Sequence, residues 1–286
     1  MAQARKPAGS AGGTGGQYDH DRRGGTDDLP ALADPKAPVY LAGATLRNMV
    51  LVDADLQAAN LTGADFTGAT LTGADMEAAF IENARLTKAD LSRVNALSAT
   101  VKATDMTDAR LTGAKMTYIL VDKTNLHGAD LTGAVMQRGF ISSTDLTGAR
   151  LDSADMAGTR LWRSDLTGAS LKGARLWGAH LRKTDLSDTD LTGADLSYAI
   201  VAVSRLDGAR LDMTHVTGEY INCLDLTGAR LAGDHRGLIV DRWTNMAGWR
   251  IRRDQLDGLA DGKPGVPFAE ETLRKRRVEI VDKEES

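Results

Sequence analysis

The side chains of this chain that could make or break bonds are few and scattered. Five histidines, His20, His127, His180, His215 and His235, could ligate a metal or act as a base. No two of them stand at the three- or four-residue spacing that puts two imidazoles on one helix face. Cys223 is the single cysteine, and no histidine lies within its own five residues; it reads as a small structural residue. The recurrent glycines of "LTGA" have no strand-to-helix context and no lysine at the spacing of a phosphate loop. The "RKRR" at 274–277 could hold an anion, but Glu270, Glu271, Glu279 and Glu284 surround it and favour a self-neutralised exposed helix. Neither catalysis nor a metal or cofactor site is expected. Carboxylates offer the remaining chemistry. Asp53, Asp55, Asp65, Asp75, Glu77 and Glu82 fall between 51 and 84 with no Lys or Arg, a candidate acidic patch for a basic partner. Asp145, Asp165 and Asp185 form a second, evenly spaced series that Arg205 breaks.

The backbone that must position these groups is announced by "LTGADFTGATLTGADM", residues 61–76, where Leu61, Phe66, Leu71 and Met76 stand five apart. Neither a helix nor a strand has that period. From Leu41 through Leu231 the frame runs unbroken for 39 units, every centre being Leu, Met, Ile, Val or Phe except Ala96. Alanine prevails two places before the centre, Asp, Asn or Arg one place before, and Thr-Gly after.

Every fourth unit differs. Centres 41, 61, 81 and onward to 221 are β-branched at six of ten places, against one of the other 29. The residues just before them include Tyr40, Phe80, Leu120, Phe140, Ile200 and Tyr220. The superperiod is therefore four units, each unit one side of a turn. Backbone groups must then pair with the turns above and below at a ladder spacing of about 4.8 Å, giving about ten turns and a rod roughly 45–50 Å long. The centres stack inward in four columns, with the alanines lining the inner wall. Ala96 leaves space, which its column neighbours Met76 and Met116 are suited to fill.

At the flanks, 1–38 is rich in Gly, Pro and balanced charge and is expected to be a disordered tail. From 236 to 286 the frame dissolves into an expected cap, with Leu238, Ile239, Val240, Trp243 and Trp249 as plugs. Pro267 opens "PFAEETLRKRRVEI", expected to be a short helix.

The array, "ADLTGADLSYAI" and its relatives over 39–235, closely resembles the pentapeptide-repeat family. That resemblance implies an all-β fold, a right-handed quadrilateral β-helix. It implies less about function, because the best-understood members are quinolone-resistance proteins that imitate B-form DNA and bind DNA gyrase or topoisomerase IV. Such mimicry needs a long negative face, yet net charge is only −4 for all 286 residues. Arg150, Arg163, Lys172, Arg175, Arg182 and Lys183 interrupt the acids.

Strand alternation instead sends Tyr40, Phe80, Leu120, Phe140, Ile200 and Tyr220 outward along one face, with Trp162 beside them and Tyr118 and Tyr198 at the neighbouring corner. Such a stripe could exceed the roughly 300–600 Å² of the largest apolar patch usual on a monomer. The leading expectation is a non-enzymatic scaffold whose striped face binds a partner protein or a second copy of the chain. The alternative is a DNA mimic directed at a type II topoisomerase. Direct nucleic-acid binding and membrane insertion are not expected. The lone cysteine and the absence of an apolar leader suggest a reducing, bacterial-type cytoplasm.

Overall fold

The computed structural model of the chain describes residues 38–202, 204–206 and 208–212, with 220–222, 230–232, 238–240, 250–252, 259–261, 269–275 and 277–281. The expected tail before 38 and the plugs Trp243 and Trp249 lie outside these residues. No helix among the described residues is long and apolar enough to cross a membrane.

Each five-residue unit is one side of a square coil. Its centre points inward, as Leu46, Leu51, Leu56 and Leu61 do at 1% exposure or less. The alanine two places earlier is sealed behind it, as at Ala59, Ala64, Ala69 and Ala74. The sides are called faces A to D, after the columns beginning at Leu41, Leu46, Leu51 and Leu56. Backbone groups are satisfied between coils: Leu41 N–H donates to Asn60 O at 2.9 Å, and Asn60 N–H to Val39 O at 2.8 Å. Isolated parallel bridges repeat this one-coil register from Tyr40↔Asn60 to Asp190↔Arg210. Most corners close with a turn bond, as Ala79 N–H to Met76 O at 3.0 Å. The corner residue takes a left-handed conformation, which is why glycine recurs there; at Gly73, with φ 72°, the side chain of Asp53 from the preceding coil also occupies the space a Cβ would need.

Face A is built differently, and five of its seven strand centres are β-branched, Leu161 and Leu181 being the exceptions. From Ile81 onward this face is an extended three-residue strand: β1 Phe80–Glu82, β2 Thr100–Lys102, β3 Leu120–Asp122, β4 Phe140–Ser142, β5 Arg160–Trp162, β6 His180–Arg182 and β7 Ile200–Ala202. Branching at Cβ suits extended backbone and disfavours the tight turn. The turn bond present at Ala44 and Ala64 is accordingly absent at the corners after Ile81, Val101, Val121 and Ile141. Hydroxyls stand in there. Thr104, Thr124, Thr144, Ser164, Thr184 and Ser204, one per coil, are buried where Ala44 and Ala64 stood. Thr104 Oγ1 donates to Ile81 O at 2.9 Å, and Ser204 Oγ accepts from Thr184 N–H at 3.2 Å. Buried backbone polar groups at an opened corner are thus taken up by side chains.

The stretch 38–212, described at all but two positions, spans between eight and nine coils of four units each, fewer than the ten read from the frame; later coils are seen as single strands. The ladder runs through the end of the frame and beyond it. Strands β9 Tyr220–Asn222, β11 Leu238–Val240 and β13 Leu259–Asp261 extend face A, while β8 Arg210–Asp212, β10 Arg230–Ala232, β12 Arg250–Arg252 and β14 Glu279–Val281 form a parallel sheet in the column of face C. Ile239 pairs with Tyr220, Leu238 with Leu259 and Arg250 with Glu279. The even spacing of the upstream ladder therefore tightens by one position at the first pair, widens by one at the second and widens much further at the third. That last and longest slip accommodates a helix, α1 Glu270–Lys275, which is shorter than the run from Pro267 suggested. Arg277, in the left-handed region at φ 61°, follows it, and the remaining residues "EIV" pair as β14. Leu273 is fully buried and, with Val278, joins the apolar core.

At Ala96 the expected compensation is partial. Met76 and Met116 flank it, but Val94, in the alanine position of the same unit, also fills inward, and Ile119 does so one coil on. An apolar void of about 40 Å³ remains along the core axis, lined from Met76 to Leu151 with Val94, Ala96, Met116 and Ile119 among its walls.

Candidate functional site

Alternation on the face A strands turns the residue before each centre to solvent, and the apolar stripe is where the sequence places it. Tyr40 is 72% exposed, Phe80 56%, Trp162 44%, and Leu120 and Ile200 40% each. Phe140 is half-buried, and the side chain of Tyr220 lies outside the described residues. Leu120 and Phe140 are direct ladder partners. Tyr118 and Tyr198 project from the corner between faces D and A, at φ 59° and 60°. A bulky ring in that conformation costs roughly 1–2 kcal/mol relative to an unstrained backbone. One member was not read from the sequence: Trp177 on face D, 48% exposed, meets Tyr198 edge-on with ring centroids 5.8 Å apart. Its place just after the centre Leu176, an outward position, was the available signal. The stripe is not continuous, because Asn60, Thr100, Arg160 and His180 interrupt it.

The six acids between 51 and 84 are not brought together. Glu82 stands on face A, Asp65 on face B, Asp53 at a face C corner, and only Asp55, Asp75 and Glu77 share face D. Nor are they bare. Asp65 is held by Arg47 at 2.7 Å and approached by Arg85 at 4.0 Å, one coil to either side, and Glu82 pairs with Lys102 at 3.3 Å. Asp75 accepts from Gln57 at 2.7 Å and Asn95 at 3.0 Å. Two of the six, Asp65 and Glu82, thus receive cations from other coils although their own stretch of chain has none.

The repeated Asp-x-Thr has its own structural use. Asp130 Oδ1 accepts Thr132 N–H at 3.0 Å and the Thr132 hydroxyl at 2.6 Å, and the same turn recurs at Asp105, Asp145, Asp165 and Asp190. Partial burial alone would raise the carboxyls of Asp65, Asp90, Asp105, Asp130 and Asp190. Hydrogen bonds from the hydroxyl and N–H two residues on, with nearby Arg or Lys, outweigh it and hold all five below the ordinary range.

Face B carries the longest acidic series. Asp105, Asp145, Asp165 and Asp185 lie on it with Asp108 and Asp188 at its corner, and no Lys or Arg occupies its residues 104–108, 124–128, 144–148, 164–168 or 184–188. Arg85 and Arg205 bound the series on the same face, and Arg205 pairs with Asp185 at 3.0 Å. Of the histidines, His127 contacts the Thr147 hydroxyl at 2.7 Å and His180 is exposed; His20, His215, His235 and Cys223 lie outside the described residues. Among the described residues no three His, Cys, Asp or Glu side chains are grouped to hold a metal.

The family model for pentapeptide repeats matches residues 40–77, 71–113, 144–176 and 169–212, together half of the chain. The chain belongs to the pentapeptide-repeat family. Among solved structures it is similar to HetL, a pentapeptide repeat protein involved in heterocyst differentiation regulation from the cyanobacterium Nostoc sp. strain PCC 7120. Identity is 23% over 79% of this chain and 92% of that one, with a TM-score of 0.61, a likeness of fold. QnrB1, a plasmid-mediated fluoroquinolone resistance protein, matches at 19% identity over 60% of this chain and 89% of its own, TM-score 0.37. Rfr23 from the cyanobacterium Cyanothece 51142 matches at 28% identity over 37% and 58%, TM-score 0.22. No curated protein sequence matches the chain.

Proposed function

We propose that this pentapeptide-repeat rod is a non-enzymatic cytoplasmic scaffold that binds a partner protein through face A and its corner with face D. The observation that carries the reading is the outward placement of Phe80, Leu120, Trp162, Trp177, Tyr198 and Ile200 on a regular, parallel-stranded surface. Aromatic side chains held rigidly by backbone are the usual anchors of protein interfaces. The test is Phe80→Asp with Phe140→Asp. Both side chains precede an inward centre, so β-helix circular dichroism should persist, while partner capture, or self-association where the partner is a second copy, should be lost. Retention of binding and of oligomeric state would remove the reading.

A second reading, a DNA mimic directed at a type II topoisomerase, is favoured by face B alone, whose aspartates from 105 to 188 occupy four of five successive coils, Asn125 standing in the other, with no Lys or Arg between them on that face. Supercoiling assays decide it. No inhibition or protection at micromolar protein and low salt, where such contacts are strongest, would eliminate it.

A further inference from the structure

Between the apolar parts of face A lies a patch of the opposite character. On β5 and β6 and the corners that follow them stand Arg160, Arg163, Arg182 and Lys183, all exposed, with Trp162 and His180 among them. Arg160 is the ladder partner of His180, and Trp162 of Arg182. None of the four cations has a carboxylate within 4.0 Å among the described residues, whereas Arg47, Arg175 and Arg205 on other faces are paired. The nearest acids along face A are occupied, Asp122 by the Ser142 hydroxyl and Glu82 by Lys102. The Arg163 guanidinium lies over the Trp162 ring, 5.4 Å from its centroid.

We propose, resting on the scaffold reading, that the segment of the partner docking between Phe140 and Ile200 is an extended acidic peptide with an apolar residue at each end. The spacing sets its length. Phe140 and Ile200 are three ladder steps apart, about 14 Å at roughly 4.8 Å per step, and an extended chain covers that in about four residues at some 3.3 Å each. The pattern is apolar, three acidic residues, apolar. Its ends lie on Phe140 and Ile200, and its central carboxylate meets Arg160, Arg182 and their neighbours. Desolvating four unpaired cations calls for a partner that supplies charge there. A nucleic-acid strand fits less well. It needs a basic track along its length, and here the cations occupy two adjacent coils bounded by an aliphatic and an aromatic side chain.

The experiment measures fluorescence anisotropy of the full chain with a labelled peptide containing Phe-Glu-Glu-Glu-Phe, beside its Phe-Gln-Gln-Gln-Phe counterpart, an oligothymidylate and anionic phospholipid vesicles. The acidic peptide should bind, the glutamine peptide at least about tenfold more weakly. Arg160→Glu with Arg182→Glu should reduce binding by about tenfold or more, and Arg160→Gln with Arg182→Gln by less, with circular dichroism unchanged in both. The proposal is overturned where the acidic peptide does not bind, where the oligothymidylate or the vesicles bind more tightly, or where the Arg→Glu pair leaves the peptide affinity unchanged. An Arg→Glu pair that keeps the partner while Phe80→Asp with Phe140→Asp loses it overturns this inference and leaves the scaffold standing. Retention by both pairs overturns both.

Discussion

The buried Thr104 hydroxyl faces two carbonyls of successive coils, Ile81 O at 2.9 Å and Lys102 O at 3.0 Å, which share its single hydrogen. Thr104→Val keeps the shape and removes the donor, placing a methyl against two buried oxygens. The expected loss is about 1–2 kcal/mol, read by urea denaturation. Because each coil contacts only its neighbours, amide exchange should accelerate at 80–104 and not at 180–200. Uniform exchange along the rod would show that the hydroxyl column is not what holds face A.

Leu131 and Lys115 test the inward and outward assignments. Leu131 is 1% exposed, and Leu131→Asp would bury a carboxylate without a partner, which should unfold the middle of the rod. Lys115 is exposed and precedes the centre Met116, with Thr117 two residues on. Lys115→Asp therefore writes the Asp-x-Thr turn into a side of the coil that lacks it, and should leave stability unchanged or slightly higher. Comparable melting temperatures for the two variants would contradict the five-residue frame.

Val94 and Ala96 share one unit and one void. Val94→Ala enlarges the cavity and should cost about 2–3 kcal/mol, while Ala96→Leu alone overpacks it for about 1–3 kcal/mol. Together they restore the pattern of the other units, and the double variant should lie within about 1 kcal/mol of the parent chain. Simple additivity in denaturant melts would mean that the two side chains do not compete for the same space.

What the sequence disclosed, and what it hid, follows from the range of the interactions. Burial of every fifth side chain is written in the frame itself, and the β-branched Ile81, Val101, Val121 and Ile141 mark face A as the extended side. The outward course of Phe80 and Ile200 follows from alternation alone. The pairing of Asp65 with Arg47 and Arg85 was hidden, because each of those cations sits about a whole coil away along the chain and meets it only once the coil closes. The same distance concealed why Thr104 replaces alanine, since its acceptor Ile81 O belongs to the coil before. Strands β11, β13 and β14, beyond the end of the frame, escaped notice for a different reason. Their uneven registers, from Tyr220 with Ile239 to Arg250 with Glu279, keep the ladder but not the five-residue rhythm.

Acid should weaken the rod through its structural aspartates. Asp65, Asp90, Asp105, Asp130 and Asp190 have folded-state pKa values below the unfolded value of about 3.9. A depressed carboxyl binds fewer protons folded than unfolded. Its stabilisation is therefore complete above the unfolded pKa and is lost as pH falls through the folded one. Stability should be flat with respect to these groups from about pH 5 to 8 and decline below about pH 4. Asp130→Asn keeps an oxygen for Thr132 N–H and its hydroxyl but has no carboxyl to titrate. It should start less stable at neutral pH, having lost the attraction of Arg150 and Arg110, and should show a shallower acid slope. A slope equal to that of the parent chain, in urea melts taken between about pH 2 and 6, would mean that the Asp-x-Thr turn does not carry the acid sensitivity.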